Sequence, residues 1–458
     1  MGAYKDLLED DNYIADFNRQ AKAEKEDKER EERQLNEDIK KMEEAQDKDK
    51  ESKKESNKGY KTYNNKGGKG ENNPYMYVKS IRNSHIFWTM ESEGAGNEVC
   101  YIYDKNTGMY DAHGESKIKA LTQIISDRDE RGVNKNTVQE VVQIIKRNSM
   151  KPRPADDQYD RLLLYNNGMY DMASKKFTQG FNPEYFITSR IPWPYHYGEI
   201  CEEIKKFIIQ VLVPRKRWTY MNDLDIQKLN FMQELFGYCL YRGYPLHYLF
   251  MFLGRGDNGK GVLLRLFKAF VGKKNVSAVQ PQKLDQRFQA SNLYGKHINM
   301  FGDLPGGKLR DTGTIKTLIG EDTVNAEFKG QKGFDFTSYA KIIVATNEPF
   351  RVSIGEPEAF FRKILPLYFP NRFTPDNELF PRLTTEKQMS GLINWSTEGL
   401  ERLLKNKGFS LKPIPRMVED LFPRFGDKGE FHTAPINIKN VDIKDIDKIY
   451  EDYDPDQE

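Results

Sequence analysis

Gly254-Arg255-Gly256-Asp257-Asn258-Gly259-Lys260-Gly261-Val262 is the stretch whose residue types and spacing most directly suggest chemistry. Glycines at the first and sixth positions let successive backbone N–H groups turn inward around a phosphate, which a Cβ would obstruct. Lys260 is spaced to reach the β/γ-phosphates, and a helix that follows directly would point its N-terminus at the anion. A glycine-rich strand-to-helix turn that holds no ligand is the alternative. One position departs from the pattern: Gly261 stands where a hydroxyl usually meets Mg²⁺. A metal would then need waters, nucleotide oxygens and an acid from elsewhere. Asp303 closes the apolar run HINMFGD and suits that carboxylate role, although a surface Asp at a strand end would look the same. It is followed by Leu304, not by a glutamate that could activate water. Asn347 ends the apolar run KIIVATN and could orient water or a γ-phosphate. Arg362 stands just before a fourth apolar run, KILPLYF.

The elements that must position these residues follow from hydropathy. HYLFMFLG at 247–254 is a continuous apolar run ending in glycine, the pattern of a central parallel strand. With HINMF, KIIVAT and KILPLYF it makes four apolar strands separated by helical or loop segments, a parallel sheet with its site at the strand C-termini. Upstream, Ile200–Val213 and Ile226–Tyr241 carry apolar residues at helical spacing. Further upstream, YMYVKSI, HIFWTM and EVCYIYD are expected as short strands, with NTG at 106–108 as a turn. Two helices, IKALTQIISDR and TVQEVVQIIKR, come next, and then a strand-turn signal in RLLLYNNGMYDMASKKFTQ. GMYD occurs at 108–111 and again at 168–171, which strand-turn-strand chemistry explains without a repeat. TVNAEFKGQKGFDFTSY reads as a hairpin with a basic, glycine-rich tip. Lys329 and Lys332 carry the charge of that tip, which a solvated turn would explain; Phe328 or Phe334 could stack on a flat ligand or pack into the core.

The chain has 458 residues, 38% hydrophobic and 31% charged, with a net charge of +2. Residues 1–60 carry 14 basic and 19 acidic side chains, and the tail from Val441 carries 2 and 8, which leaves 55 against 42 between them. A basic body with acidic ends suits a polyanion partner or simply a solvated surface. No apolar run approaches the ~20 residues that span a bilayer, and no leader is expected at the N-terminus. Cys100, Cys201 and Cys239 are scattered, and the six histidines are dispersed, so neither a disulfide framework nor a zinc site is expected. Membrane partners are not expected, and a cytoplasmic setting is. The division drawn is a charged, largely disordered arm and linker at 1–74 and a small α+β domain at 75–198. A helical block at 199–244, a parallel-sheet core carrying the glycine loop at 245–380, a helical segment at 381–425 and a short acidic tail at 426–458 follow. A coiled coil is the alternative for part of the arm. No upstream polymerase-type domain is expected within residues 1–160.

The runs GRGDNGKGVLLRLF, NMFGDLPGGKLRDTGTIKTLIGEDTVNAEFKGQKGFDFTSYAKIIVATNEPF and EAFFRKILPLYFPNRF resemble the superfamily 3 helicases of viruses and plasmids, especially the poxvirus-type and phage/plasmid primase-helicase branch. The likeness covers roughly Arg161 to Phe409, with weaker likeness back to Tyr75. It implies an α/β AAA+ P-loop NTPase with a central parallel sheet. By the same resemblance Lys260 binds phosphate, Asp303 serves Mg²⁺, Asn347 is the sensor and Arg362 is a finger reaching a neighbouring subunit's ATP. Where relatives often have a second arginine, this chain has Lys363; the guanidinium fork of Arg362 suits phosphate better. The resemblance further implies a homo-hexameric ring, with the hairpin tracking DNA in its channel through Lys329 and Lys332, and with Phe328 or Phe334 placed to stack on a base. The expected function is an ATP-dependent replicative DNA helicase, acting on single-stranded or forked DNA in the host cell cytoplasm. A separate primase or replication initiator would be a further partner. The rival is a nucleotide-gated DNA-binding or loading protein with weak hydrolysis, which Gly261 and Leu304 keep open. A small-molecule kinase is disfavoured by the basic hairpin.

Overall fold

The computed structural model describes residues 73–91, 98–130, 132–152, 154, 161–302, 308–309, 312–328, 333–347, 351–353, 358–412 and 424–425. These belong to one compact unit, Asn72–Glu458. The charged arm, the acidic tail, Asp303, Lys329 and Lys332 lie outside the described residues.

The first element corrects an expectation. YMYVKSI lies in a helix, α1 (Pro74–Ser84), not a strand. Asn73 caps it, its side chain accepting from Tyr75 N, and Pro74 occupies the first turn, where its missing N–H costs nothing. Tyr77, Val78 and Ile81 then fall on one buried face, a spacing that only a helix gives. Strands β1 (Phe87–Glu91), β2 (Glu98–Asp104) and β3 (Met109–Asp111) form an antiparallel sheet. The Asp104 carboxylate organises the β2–β3 turn by accepting from Asn106 N and Thr107 Oγ1, both at 2.9 Å. Helices α2 (Gly114–Arg128) and α3 (Lys135–Asn148) join α1 over this sheet, around Ile81, Phe87, Ile118, Val141 and Ile145. A second antiparallel sheet, β4 (Leu162–Leu164), β5 (Gly168–Asp171) and β6 (Lys176–Gln179), follows. Both copies of GMYD therefore supply antiparallel strand residues.

Helices α4 (Glu202–Leu212) and α5 (Asp223–Tyr238) precede the main sheet. Its strands are β7 (Leu249–Leu253), β8 (Val276–Ser277), β9 (Ile298–Phe301), β13 (Lys341–Thr346) and β15 (Ile364–Tyr368), in the order β15-β7-β13-β9-β8 and all parallel. Every residue of β7, β13 and β15 is buried, as strands covered on both faces must be. A short β10 (Lys308–Leu309), α7 (Gly313–Ile319) and the hairpin β11 (Thr323–Ala326) with β12 (Phe334–Thr337) lie between β9 and β13. β14 (Arg351–Ser353) pairs with β10 on one side and with β16 (Arg424–Phe425) on the other, in a small parallel sheet. Helix α6 (Lys260–Val271) follows β7, and the short α8 (Glu358–Phe361) and α9 (Leu379–Leu383) flank β15.

The long α10 (Glu386–Asn406) packs on α5 through facing glycines. A Cβ on Gly237 would come 2.2 Å from Ser396 O, and one on Gly399 would come 2.6 Å from Gln233 O. The wholly buried Glu234 locks the pair by accepting from Arg402 Nε at 2.7 Å and Ser410 Oγ at 2.6 Å. Among the described residues no helix is long and apolar enough to cross a membrane.

Candidate phosphate-binding site

Strand register fixes which residues can meet. Leu253, the last residue of β7, lies opposite Thr346 of β13 and Tyr368 of β15. Gly254, Asn347 and Phe369 therefore leave the sheet together at its carboxyl end, the end at which parallel α/β sheets hold ligands.

The glycine loop has a backbone that its residues alone permit. Gly259 has φ +86°, and a Cβ there would also strike Val211 Cγ1 of α4 at 2.5 Å, so glycine is required twice over. Asp257 adopts φ +59°, a left-handed conformation that Asp tolerates, and its carbonyl accepts Phe373 N at 2.7 Å. A Cβ on Gly254 would come 2.2 Å from Asn258 Nδ2. The loop opens directly onto the N-terminus of α6, whose first residue is Lys260.

Lys260 is 6% exposed. Its ammonium donates to the Gly254 carbonyl and, at 3.2 Å, to Asn347 Oδ1. The geometry thus joins two residues 87 positions apart that the sequence singled out separately. Arg255, Gly256, Asp257 and Gly261 are exposed around them. Gly261 has room for a side chain, since a Cβ there meets nothing within 4 Å.

Arg362 lies elsewhere. It is exposed and precedes β15, at the amino end of the sheet. The five residues of β15 separate it from the loop by about 17 Å at ~3.3 Å per residue, so within one chain it does not join Lys260. Asp303 follows the last described residue of its segment, Gly302, and stays outside the site that can be drawn. Among the described residues no group of three or more His, Cys, Asp or Glu could hold a metal ion.

Sequence reasoning missed the wall behind the loop. Asn371 donates from Nδ2 to Gln210 O at 2.6 Å and Val213 O at 2.7 Å, tying the segment after β15 to the end of α4. Nothing in the local sequence marks an Asn after Pro370 for this. The hairpin base is aromatic: Phe328 stacks on Phe334 with ring centres 5.1 Å apart, and Tyr294 meets Phe334 edge-on at 5.2 Å. Phe334 is thus packed beneath Phe328, which is 37% exposed.

Residues 14–213 match a family described as "D5 N terminal like", and residues 252–362 match a family of unknown function, DUF5906. The curated "Putative helicase 121R" of Invertebrate iridescent virus 3 is 24% identical over 208 residues, which is 42% of this chain and 21% of that protein. The match thus spans about a fifth of the relative's length. Among solved structures, the apo C-terminal region of NrS-1 aligns with TM-score 0.45 and 13% identity, covering 73% of this chain and 75% of that one. A second apo form of the same region gives TM-score 0.44, 13% identity and coverages of 71% and 72%. By sequence, then, the chain is similar to a viral helicase-type protein.

Proposed function

We propose that this chain is an ATP-dependent DNA helicase of the primase-helicase kind, within superfamily 3, working as a ring of six copies on single-stranded or forked DNA. The carrying observation is the meeting of Lys260 and Asn347 at the mouth of a glycine loop, at the foot of α6 and the carboxyl end of a parallel sheet. The described donors suit a phosphate: the ammonium, the N-terminus of α6 and a backbone held open by Gly254 and Gly259. They do not by themselves suit Mg²⁺, because Gly261 brings no hydroxyl. Asp303 is the carboxylate proposed for the metal, and no step is derived through it.

On this reading Lys260 exchanges the Gly254 carbonyl for phosphate oxygens, and Asn347 feels the exchange because it shares the ammonium. The hairpin β11–β12 leads through residues 338–340 into β13, the strand that ends beside Asn347. This continuity supports coupling between nucleotide and the proposed DNA contacts Lys329 and Lys332. The distance of Arg362 from the loop of its own chain favours an arginine finger offered to a neighbouring copy. The exposed, hydroxyl-free Gly261 supports a second reading, a nucleotide-gated DNA-binding protein with weak hydrolysis.

The test is ATP hydrolysis with and without single-stranded DNA, beside strand displacement on a fork. Wild type should hydrolyse ATP faster with DNA and open the fork, while Lys260→Ala should do neither. Arg362→Ala should also be inactive, yet mixed with Lys260→Ala it should recover some turnover, because mixed rings contain complete sites. Tight ATP-dependent DNA binding without unwinding would favour the gated binder. Wild-type turnover by folded Lys260→Ala would remove the assignment.

A further inference from the structure

Asn258 is only 4% exposed, and its two amide atoms have different fates. Oδ1 accepts the backbone N–H of Lys260 at 3.3 Å. Nδ2 has no hydrogen-bond partner among the described residues. The contact to Lys260 fixes this orientation, because a flipped amide would set two donors face to face. The nitrogen therefore lies over Gly254, where a Cβ would come within 2.2 Å of it. Glycine at 254 is what allows the amide to sit there.

A buried donor without an acceptor is costly, and native structures keep few of them. The Gly254 carbonyl receives the Lys260 ammonium, and Phe369 O lies on the same side of Gly254, 3.0 Å from where a Cβ would sit, yet neither bonds Nδ2. The geometry points to a ligand oxygen as the partner. We infer that the Asn258 side chain donates a hydrogen bond from Nδ2 to a phosphate oxygen of a nucleoside polyphosphate held in the loop, an assignment that rests on the function proposed above. This goes beyond the backbone cradle, because it gives the loop a neutral side-chain donor whose replacement by an anion would repel the ligand. Unlike Lys260, Asn258 gives up no existing contact of Nδ2 to receive the phosphate. Its acceptor oxygen meanwhile holds the first N–H of α6, so the amide is fixed in place before the ligand arrives.

Asn258→Asp separates the two atoms. It keeps an oxygen for Lys260 N and the side-chain shape, and replaces only the donor, with a negative charge. Asn258→Ala removes both atoms. Binding of ATP, ADP and inorganic triphosphate to the full chain would be measured by calorimetry at two salt concentrations, with the melting temperature of each variant recorded. Asn258→Ala should bind ATP about tenfold more weakly, the scale of one hydrogen bond to a charged group. Asn258→Asp should lose on the order of a hundredfold, more for ATP than for ADP, with part of the loss relieved by salt. Inorganic triphosphate should follow ATP, because the contact is to phosphate. Equal affinity in wild type and Asn258→Asp would overturn the inference. So would equal losses in both variants with no dependence on ligand charge or salt, which would mark a purely structural role. Should Asn258→Asp not fold, unchanged ATP affinity in Asn258→Ala would overturn it alone. Wild type that binds none of the three ligands would remove the proposed function first and this contact with it. Nucleotide binding by wild type but not by Asn258→Asp would sustain both.

Discussion

Two buried lysines stand at opposite ends of the same sheet. Lys260, at the carboxyl end, is 6% exposed, and Lys341, which opens β13 at the amino end, is 0% exposed. Both ammonium groups donate to backbone carbonyls, so burial and carbonyl contact do not tell them apart. Their company does. Lys341 donates to Gly243 O at 2.7 Å, to Tyr339 O at 3.0 Å and to the Tyr241 carbonyl, with the Tyr238 ring 4.5 Å away. These carbonyls belong to the chain just beyond α5 and just before β13, so the cation closes a structural corner. Lys260 donates to the Gly254 carbonyl and to the Asn347 side-chain amide, beside exposed Arg255, Gly256 and Asp257. If the proposed site takes a phosphate, its oxygens would replace those two contacts without opening the fold. On the proposed reading, a buried lysine whose contacts border solvent can serve a ligand, whereas one enclosed by several fixed carbonyls is structural.

The largest expected effect tests this contrast. Lys341→Met keeps most of the volume but strands three carbonyls, and should cost about 3 kcal/mol or more. Lys260→Met should cost about 1 kcal/mol, since water can reach the Gly254 carbonyl once the ammonium is gone. Urea unfolding of both variants measures the difference. Similar losses in the two would break the comparison.

Sequence made one end far more legible than the other. Apolar runs ending in Gly254 and Asn347 predict a shared strand end, and parallel register brings Lys260 and Asn347 into contact without further assumptions. The glycine pattern predicts the loop because backbone freedom is a local property. Lys341 offers no such signal: at the head of KIIVAT it reads as a polar strand terminus, and only the non-local folding of residues 241–243 over it makes a buried cation. The facing of Gly237 and Gly399 is hidden for the same reason. The misreading of α1 has a different cause, since local cap chemistry at Asn73 and Pro74 outweighs an apparent β-type alternation.

A smaller effect sharpens the account of the amino end. His297, just before β9, lies between Ser189 Oγ at 3.0 Å and Cys239 O at 2.9 Å. A carbonyl can only accept, so Nδ1 carries the proton and Nε2 accepts the serine hydroxyl. Burial, with the Arg242 and Lys341 cations adding to it, holds the imidazole down to about 3. The folded state therefore binds fewer protons than the unfolded chain between that value and the ordinary ~6.5. Stability from this group is full above pH ~6.5 and falls as the pH drops toward 3, by an amount on the order of 2 kcal/mol over the first two units. His297→Asn, which retains a donor for Cys239 O, should flatten that part of the curve. Parallel slopes for the two proteins between pH 7.5 and 5 would show that the histidine titrates freely in the fold.

The smallest expected effect lies at the carboxyl end, where change should alter function more than stability. Gly261 is exposed and helical, and a Cβ there meets nothing within 4 Å. At the amino end Gly243 has no such freedom, because a Cβ would come 2.7 Å from the Tyr241 ring. Glycine in a helix costs about 0.5–1 kcal/mol relative to alanine, so both Gly261→Ala and Gly261→Ser should stabilise slightly. Only serine restores the hydroxyl that usually meets Mg²⁺ at this position. If the proposed site binds metal-bound nucleotide, Gly261→Ser should lower the Mg²⁺ concentration needed for half-maximal hydrolysis, by about threefold if the new contact contributes ~0.6 kcal/mol. Gly261→Ala should leave that concentration unchanged while matching the gain in stability. Identical Mg²⁺ curves for the two variants would mean that the metal is held beyond reach of this position, and that the missing hydroxyl is not what limits turnover.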